Sequence, residues 1–168
     1  MLALEILSTK QFMNHLLTGD CFSSFLLESA SVTTFNTFTI DGHIHKDFYS
    51  GTKEDTLDTP AYDFSAYLSV QDYLFSVVKG SRTPLKMKVT LLLNPDSVKK
   101  LLDNDSCTVS SDLVAGFVLN ILYNGSKITL TTAVSYTGFT PDKSAEQIWD
   151  TAFKKFLCAK DISFEESI

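Results

Sequence analysis

Three side chains in one short segment carry the chemistry that is easiest to name. In Thr33 to Tyr49, TTFNTFTIDGHIHKDFY, residues His43, His45 and Asp47 alternate. On a β-strand alternate residues share a face, so two imidazoles and a carboxylate would there confront one divalent cation. A ligand from the third side would have to come from Ser50 to Pro60, where Glu54, Asp55 and Asp58 cluster. The competing reading is a solvated strand whose histidines bond neighbouring threonines, because a short His-x-His pattern arises readily by chance. His15 stands beside Leu16 in a helical segment, and no HExxH or CxxC pattern completes a metal site.

Other chemistries find less support. There is no GxSxG elbow for a nucleophilic serine, and no cysteine has an adjacent histidine in sequence to activate it. Gly80-Ser81-Arg82-Thr83-Pro84 lacks the lysine-serine pair of a phosphate-cradling loop. Lys79, Arg82, Lys86 and Lys88 form the densest basic group, and the last two alternate on one strand face, where they would contact phosphates or an acidic partner. The plainer reading is a solvated face, or charges guarding an edge strand. Thr37 and Thr39 extend a polar face next to the histidines, and Asn120, Thr129, Thr131 and Thr132 make a second one.

The elements that must hold these residues follow from patterning. Leu2 to Leu7 reads as a strand, and Ser8-Thr9-Lys10-Gln11 as a capping box opening a helix with Phe12, Leu16 and Leu17 inward, Leu7 stapled to Phe12, and Gly19 as the stop. Strands follow at about Phe25 to Val32 and Phe35 to Ile40. Asp41-Gly42 is read as a hairpin turn into a third strand, His43 to Phe48. With Gly42 as a bulge residue, Thr39 falls opposite His43 and Thr37 opposite His45. A helix from Val70 to Lys79, capped by Ser69, carries Val70, Leu74, Val77 and Val78 inward.

The order strand, helix, hairpin then returns: Leu85 to Leu93, a helix opened by Asn94-Pro95, and a hairpin through Asn124-Gly125. We read this as a degenerate duplication with pseudo-repeats at about 1–49 and 85–135. A last helix, about 141–160, opens at Thr140-Pro141 and repeats Ala145, Ile148, Trp149, Ala152, Phe153, Phe156 and Leu157 at helical spacing. The acidic tail DISFEESI is expected to fray.

Composition sets the outer limits. The 168 residues fit one domain, and 44% hydrophobic residues with 13 Phe give it a core. A net charge of −6 excludes a surface that is basic throughout. Three scattered cysteines read as neither a disulfide framework nor a metal site. No apolar run approaches 18 residues and no signal-like start appears, so a cytoplasmic protein with no membrane partner is expected.

Through TTFNTFTIDGHIHKDFY, KGSRTPLKMKV, LNILYNG and DKSAEQIWD the chain resembles a family of small uncharacterised Firmicutes proteins. That resemblance implies no activity, cofactor or site residue. In arrangement alone, two units of strand, helix and hairpin are similar to a domain of the DNA sliding clamps, which implies helices on one face of curved sheets. The helices at 70–79 and 140–160 depart from that pattern. The expectation is therefore an α+β fold, antiparallel sheets with about four helices, serving as a non-catalytic interaction or assembly module. Its partners would be protein or nucleic acid, homo-oligomers are allowed, and no cofactor is expected. The alternative is a metal-dependent enzyme built on His43, His45 and Asp47.

Overall fold

The computed structural model describes residues 1–50, 60–104 and 107–167. Its strands are β1 (Ala3–Ile6), β2 (Phe25–Thr33), β3 (Thr37–Asp41), β4 (Lys86–Leu93), β5 (Val114–Tyr123), β6 (Ile128–Tyr136) and β7 (Phe164–Glu166). They form one antiparallel sheet in the order β3-β2-β4-β5-β6-β1-β7. The helices are α1 (Thr9–Leu17), α2 (Tyr67–Val78), α3 (Pro95–Asn104) and α4 (Ser144–Ala159). The expected α+β class, antiparallel with four helices, is the one observed.

Register decides which side of the sheet is core. Phe25, Leu27, Ala30 and Val32 of β2 share a face with Met87, Val89, Leu91 and Leu93 of β4, and all eight are buried. Phe117, Leu119 and Ile121 of β5 and Ile128 and Leu130 of β6 continue that face. Phe12 and Leu16 of α1, Leu74 of α2, Val98 of α3 and Trp149 of α4 join the same cluster, so the helices cover this one face. In α4 the buried residues Ala145, Trp149, Phe153 and Leu157 recur every fourth position, as an apolar stripe requires. Trp149 stacks on Phe117 at 5.2 Å and donates its Nε1–H to the Val118 carbonyl at 3.0 Å, so the indole buries area without orphaning its polar atom.

Local chemistry fixes the helix ends. The Ser8 hydroxyl accepts from the Gln11 amide as expected, but the Gln11 side chain reaches Asp161 O instead of Ser8, and Leu7 stays exposed. Asn94 caps α3 by accepting from Ser97 N at 2.8 Å. Helix α2 starts a turn before its expected Ser69 cap and buries Tyr67 and Gln71. Tyr67 Oη and Gln71 Nε2 both donate to Leu16 O, at 2.6 and 2.9 Å, so α2 satisfies carbonyls that the end of α1 leaves open. Burial pushes the Tyr67 phenol upward, keeping it a donor.

Two expectations are corrected. Asp41-Gly42 is not a hairpin turn: β2 and β3 are themselves the hairpin, turning through Thr34-Phe35-Asn36, and residues 46–49 form a 3-10 turn rather than a strand. Gly42 serves a close approach, since a Cβ there would sit 1.7 Å from Leu27 O. The tail does not fray, because Leu4 to Ile6 pair with Phe164 to Glu166. Strand, helix and hairpin do succeed one another twice, yet β4 lies beside its own hairpin while β1 lies beside the other, so the two units are not paired equivalently.

Candidate interaction face

Among the described residues no helix packs on the second face of the sheet, and residues 61–66 cover its end at Leu26. Alternation turns Ser29, Ser31 and Thr33 of β2 away from the core, and register lines them up with neighbours on both sides. One row reads Thr39, Ser31, Lys88, Leu122, Thr129, Glu5; the row beside it reads Asp41, Ser29, Thr90, Asn120, Thr131, Ala3. Thr33 stands between Thr37 and Lys86, and its hydroxyl lies 3.0 Å from that of Thr37. Thr90 donates to Asn120 Oδ1 at 3.0 Å, and Lys127 pairs with Glu5 at 2.7 Å. Thr132 departs from its expected place: it lies on the buried face, bonded to Asp150 and the Leu2 amide.

Two groups that sequence spacing keeps apart are thus brought together. Thr37 and Thr39 lie two strands from Lys86 and Lys88, a lateral distance of about 10 Å, with β2 between them. Ser29, Ser31, Thr39, Asp41 and Lys88 line a shallow hollow of about 230 Å³. Past the end of the strands, Lys79 and Arg82 join Phe35, Val77 and Leu85 around a groove of about 490 Å³. Phe35 is 86% exposed and meets Phe38 edge-on at 5.7 Å. Among the described residues none of Lys79, Arg82, Lys86 and Lys88 is ion-paired, and all four are exposed.

The histidine segment is built otherwise. His43 makes an isolated bridge to Phe64, with the two rings 4.4 Å apart, while His45 precedes the 3-10 turn and Asp47 lies within it. The strand that would align the three on one face does not form. Asp41 Oδ1 instead accepts from the His43 backbone at 3.0 Å and lies 2.7 Å from His43 Nδ1. These two bonds, the backbone one foremost, hold the Asp41 carboxyl below its usual range. Glu54, Asp55 and Asp58 lie outside the described residues. Among the described residues no three His, Cys, Asp or Glu side chains gather as a metal cluster.

Ser29, Ser31, Phe35 and Leu85 were absent from the sequence-derived candidates. The alternation Ser29-Ala30-Ser31-Val32-Thr33 carries the signal for the first two. Phe35 and Leu85 are apolar and look like core, yet the β2–β3 hairpin tip leaves Phe35 outside and the connection from α2 to β4 leaves Leu85 outside.

These features define an α+β protein whose helices, among the described residues, cover one face of the sheet and leave the polar face without a helix, with exposed cations at one end. The chain belongs to DUF5721, a family of unknown function, whose match spans residues 15–165. No curated protein and no solved structure matches it. Among the described residues no helix is long and apolar enough to cross a membrane.

Proposed function

We propose that this protein is a non-catalytic interaction module that engages an anionic partner through the cationic end of its open sheet face. The observation that carries this reading is that Lys86 and Lys88 stand on the open face at the start of β4, next to the groove lined by Lys79, Arg82 and Leu85, all four cations unpaired among the described residues, in a chain of net charge −6. Like charges held together against the sign of the whole molecule repel, and an incoming anion relieves that repulsion. Exposed Phe35 and Leu85 beside them add apolar contact.

Phosphate and carboxylate partners share this chemistry, so the test uses both: a fluorescent duplex oligonucleotide and polyglutamate, each titrated at rising salt. Binding should weaken steeply with salt and be lost in Lys86→Glu/Lys88→Glu. For the duplex, neutral Lys86→Gln/Lys88→Gln should reduce the slope of log affinity against log salt by about 2. The stronger of the two probes identifies the partner class. If neither binds at low salt, or if charge reversal leaves binding unchanged, the reading fails.

A further inference from the structure

The two edges of the sheet are protected unequally. Strand β7 has three residues and ends in Glu165 and Glu166, a short charged edge of the kind that resists pairing. Strand β3, Thr37-Phe38-Thr39-Ile40-Asp41, is β-prone throughout and carries one charge, at its end. Two bonds bracket its ladder with β2, Thr34 N–H to Asn36 O at 2.8 Å and Gly42 N–H to Glu28 O at 2.9 Å. Antiparallel alternation between them aims the backbone groups of Phe38 and Ile40 at β2 and those of Thr37, Thr39 and Asp41 at the free side. Among the described residues no strand pairs with that side.

We propose that β3 pairs with β3 of a second copy of this chain, antiparallel about a twofold axis through Thr39. Of the registers that align the free backbone groups, only this one uses all five residues. Thr39 then faces its own counterpart, and Thr37 faces the second copy's Asp41, each pair exchanging N–H···O=C bonds. The Asp41 carboxylate meets a threonine hydroxyl rather than another carboxylate. On the helix side Phe38 lies opposite the second copy's Ile40, covering two side chains that a monomer leaves partly open.

Strand pairing alone buries less than the roughly 1,200 Å² of a stable interface. Helix α2, which packs on β2, carries exposed Tyr73 and Phe75 on opposite flanks of its buried Leu74, and the flank toward β3 supplies further apolar surface. The joined sheets would put two Lys86/Lys88 groups on one continuous face, about 24 Å apart across five strand spacings. The inference stands without the anionic-partner reading, because its test contains no ligand.

Light scattering should return twice the mass of one chain, and Thr39→Lys, which sets like charges across the axis, should halve it with far-UV dichroism unchanged. In a Cys107→Ser/Cys158→Ser background, Thr39→Cys places two thiols on Cα atoms about 5.5 Å apart, within disulfide reach. Oxidation should convert it to a covalent dimer, while Thr37→Cys should stay largely uncrosslinked. The remaining Cys21 is buried and does not compete. A monomeric parent at high concentration, a dimeric Thr39→Lys, or equal crosslinking through Thr37→Cys would each overturn the proposal. Should Thr39→Lys fail to fold, the cysteine pair decides alone.

Discussion

The chain contains two Asx-Gly dipeptides between β-rich runs, Asp41-Gly42 and Asn124-Gly125, and only the second turns a hairpin. At Asn124 the side-chain carbonyl accepts from the amides of Ser126 and Lys127, at 3.1 and 2.9 Å, while Gly125 takes φ +97°. At Asp41 the carboxylate accepts from the His43 amide, but Gly42 needs no left-handed backbone; it lets the chain pass against Leu27. The same dipeptide thus answers two constraints, a turn in one place and a close approach in the other. Position in the sheet separates the hairpins as well. Strands β5 and β6 are paired on both sides in the middle, whereas β3 is the last strand of the sheet among the described residues.

The largest expected effect contrasts the hairpins through their aromatic residues. Phe117 of β5 is fully buried against Trp149, and Phe117→Ala should cost about 3–5 kcal/mol in urea unfolding. Phe38 of β3 is 37% exposed, and Phe38→Ala should cost below about 1 kcal/mol. Equal losses would mean that the edge hairpin is as much a part of the core as the central one.

The glycines come next. Gly42→Ala drives a methyl into backbone at 1.7 Å and should cost about 3 kcal/mol, because a carbonyl cannot swing aside as a flexible side chain can. Gly125→Ala meets Leu85 O at 3.1 Å and a positive φ, for a cost of about 1–2 kcal/mol. A reversed order would remove the distinction between close approach and turn.

Much of the architecture was legible because helices announce themselves over several turns. The stripe Ala145, Trp149, Phe153, Leu157 and the cap at Asn94 needed no partner to be recognised. What failed depended on contacts distant in sequence. The start of α2 follows from Tyr67 and Gln71 reaching Leu16, and Gly42 follows from Leu27; neither pairing is visible in local spacing. For the candidate face, Lys86, Lys88, Thr37 and Thr39 were individually legible as polar strand positions. That β2 would be the strand between them required the sheet order, which alternation alone does not supply.

The smallest expected effect is electrostatic and separates the two dipeptides by pH. Asn124 holds its turn with an uncharged side chain, so that turn is indifferent to acid. Asp41 holds His43 with a carboxylate whose folded pKa lies below its ordinary value of 3.8. The unfolded chain therefore binds the proton first as pH falls. Stability from this group is present above about pH 4 and declines as pH drops through the folded value. Both side chains are largely exposed, at 67% for Asp41 and 60% for His43, so solvent screens the pair and the loss is slight. Thermal unfolding followed between neutral pH and pH 3 should show Asp41→Asn losing slightly less stability than the parent chain, while Asn124→Ser leaves the pH profile unchanged and lowers Tm equally throughout. Parallel profiles for the parent and Asp41→Asn would mean that the bonds to His43 do not persist in solution. The two Asx-Gly sites would then differ in backbone geometry alone.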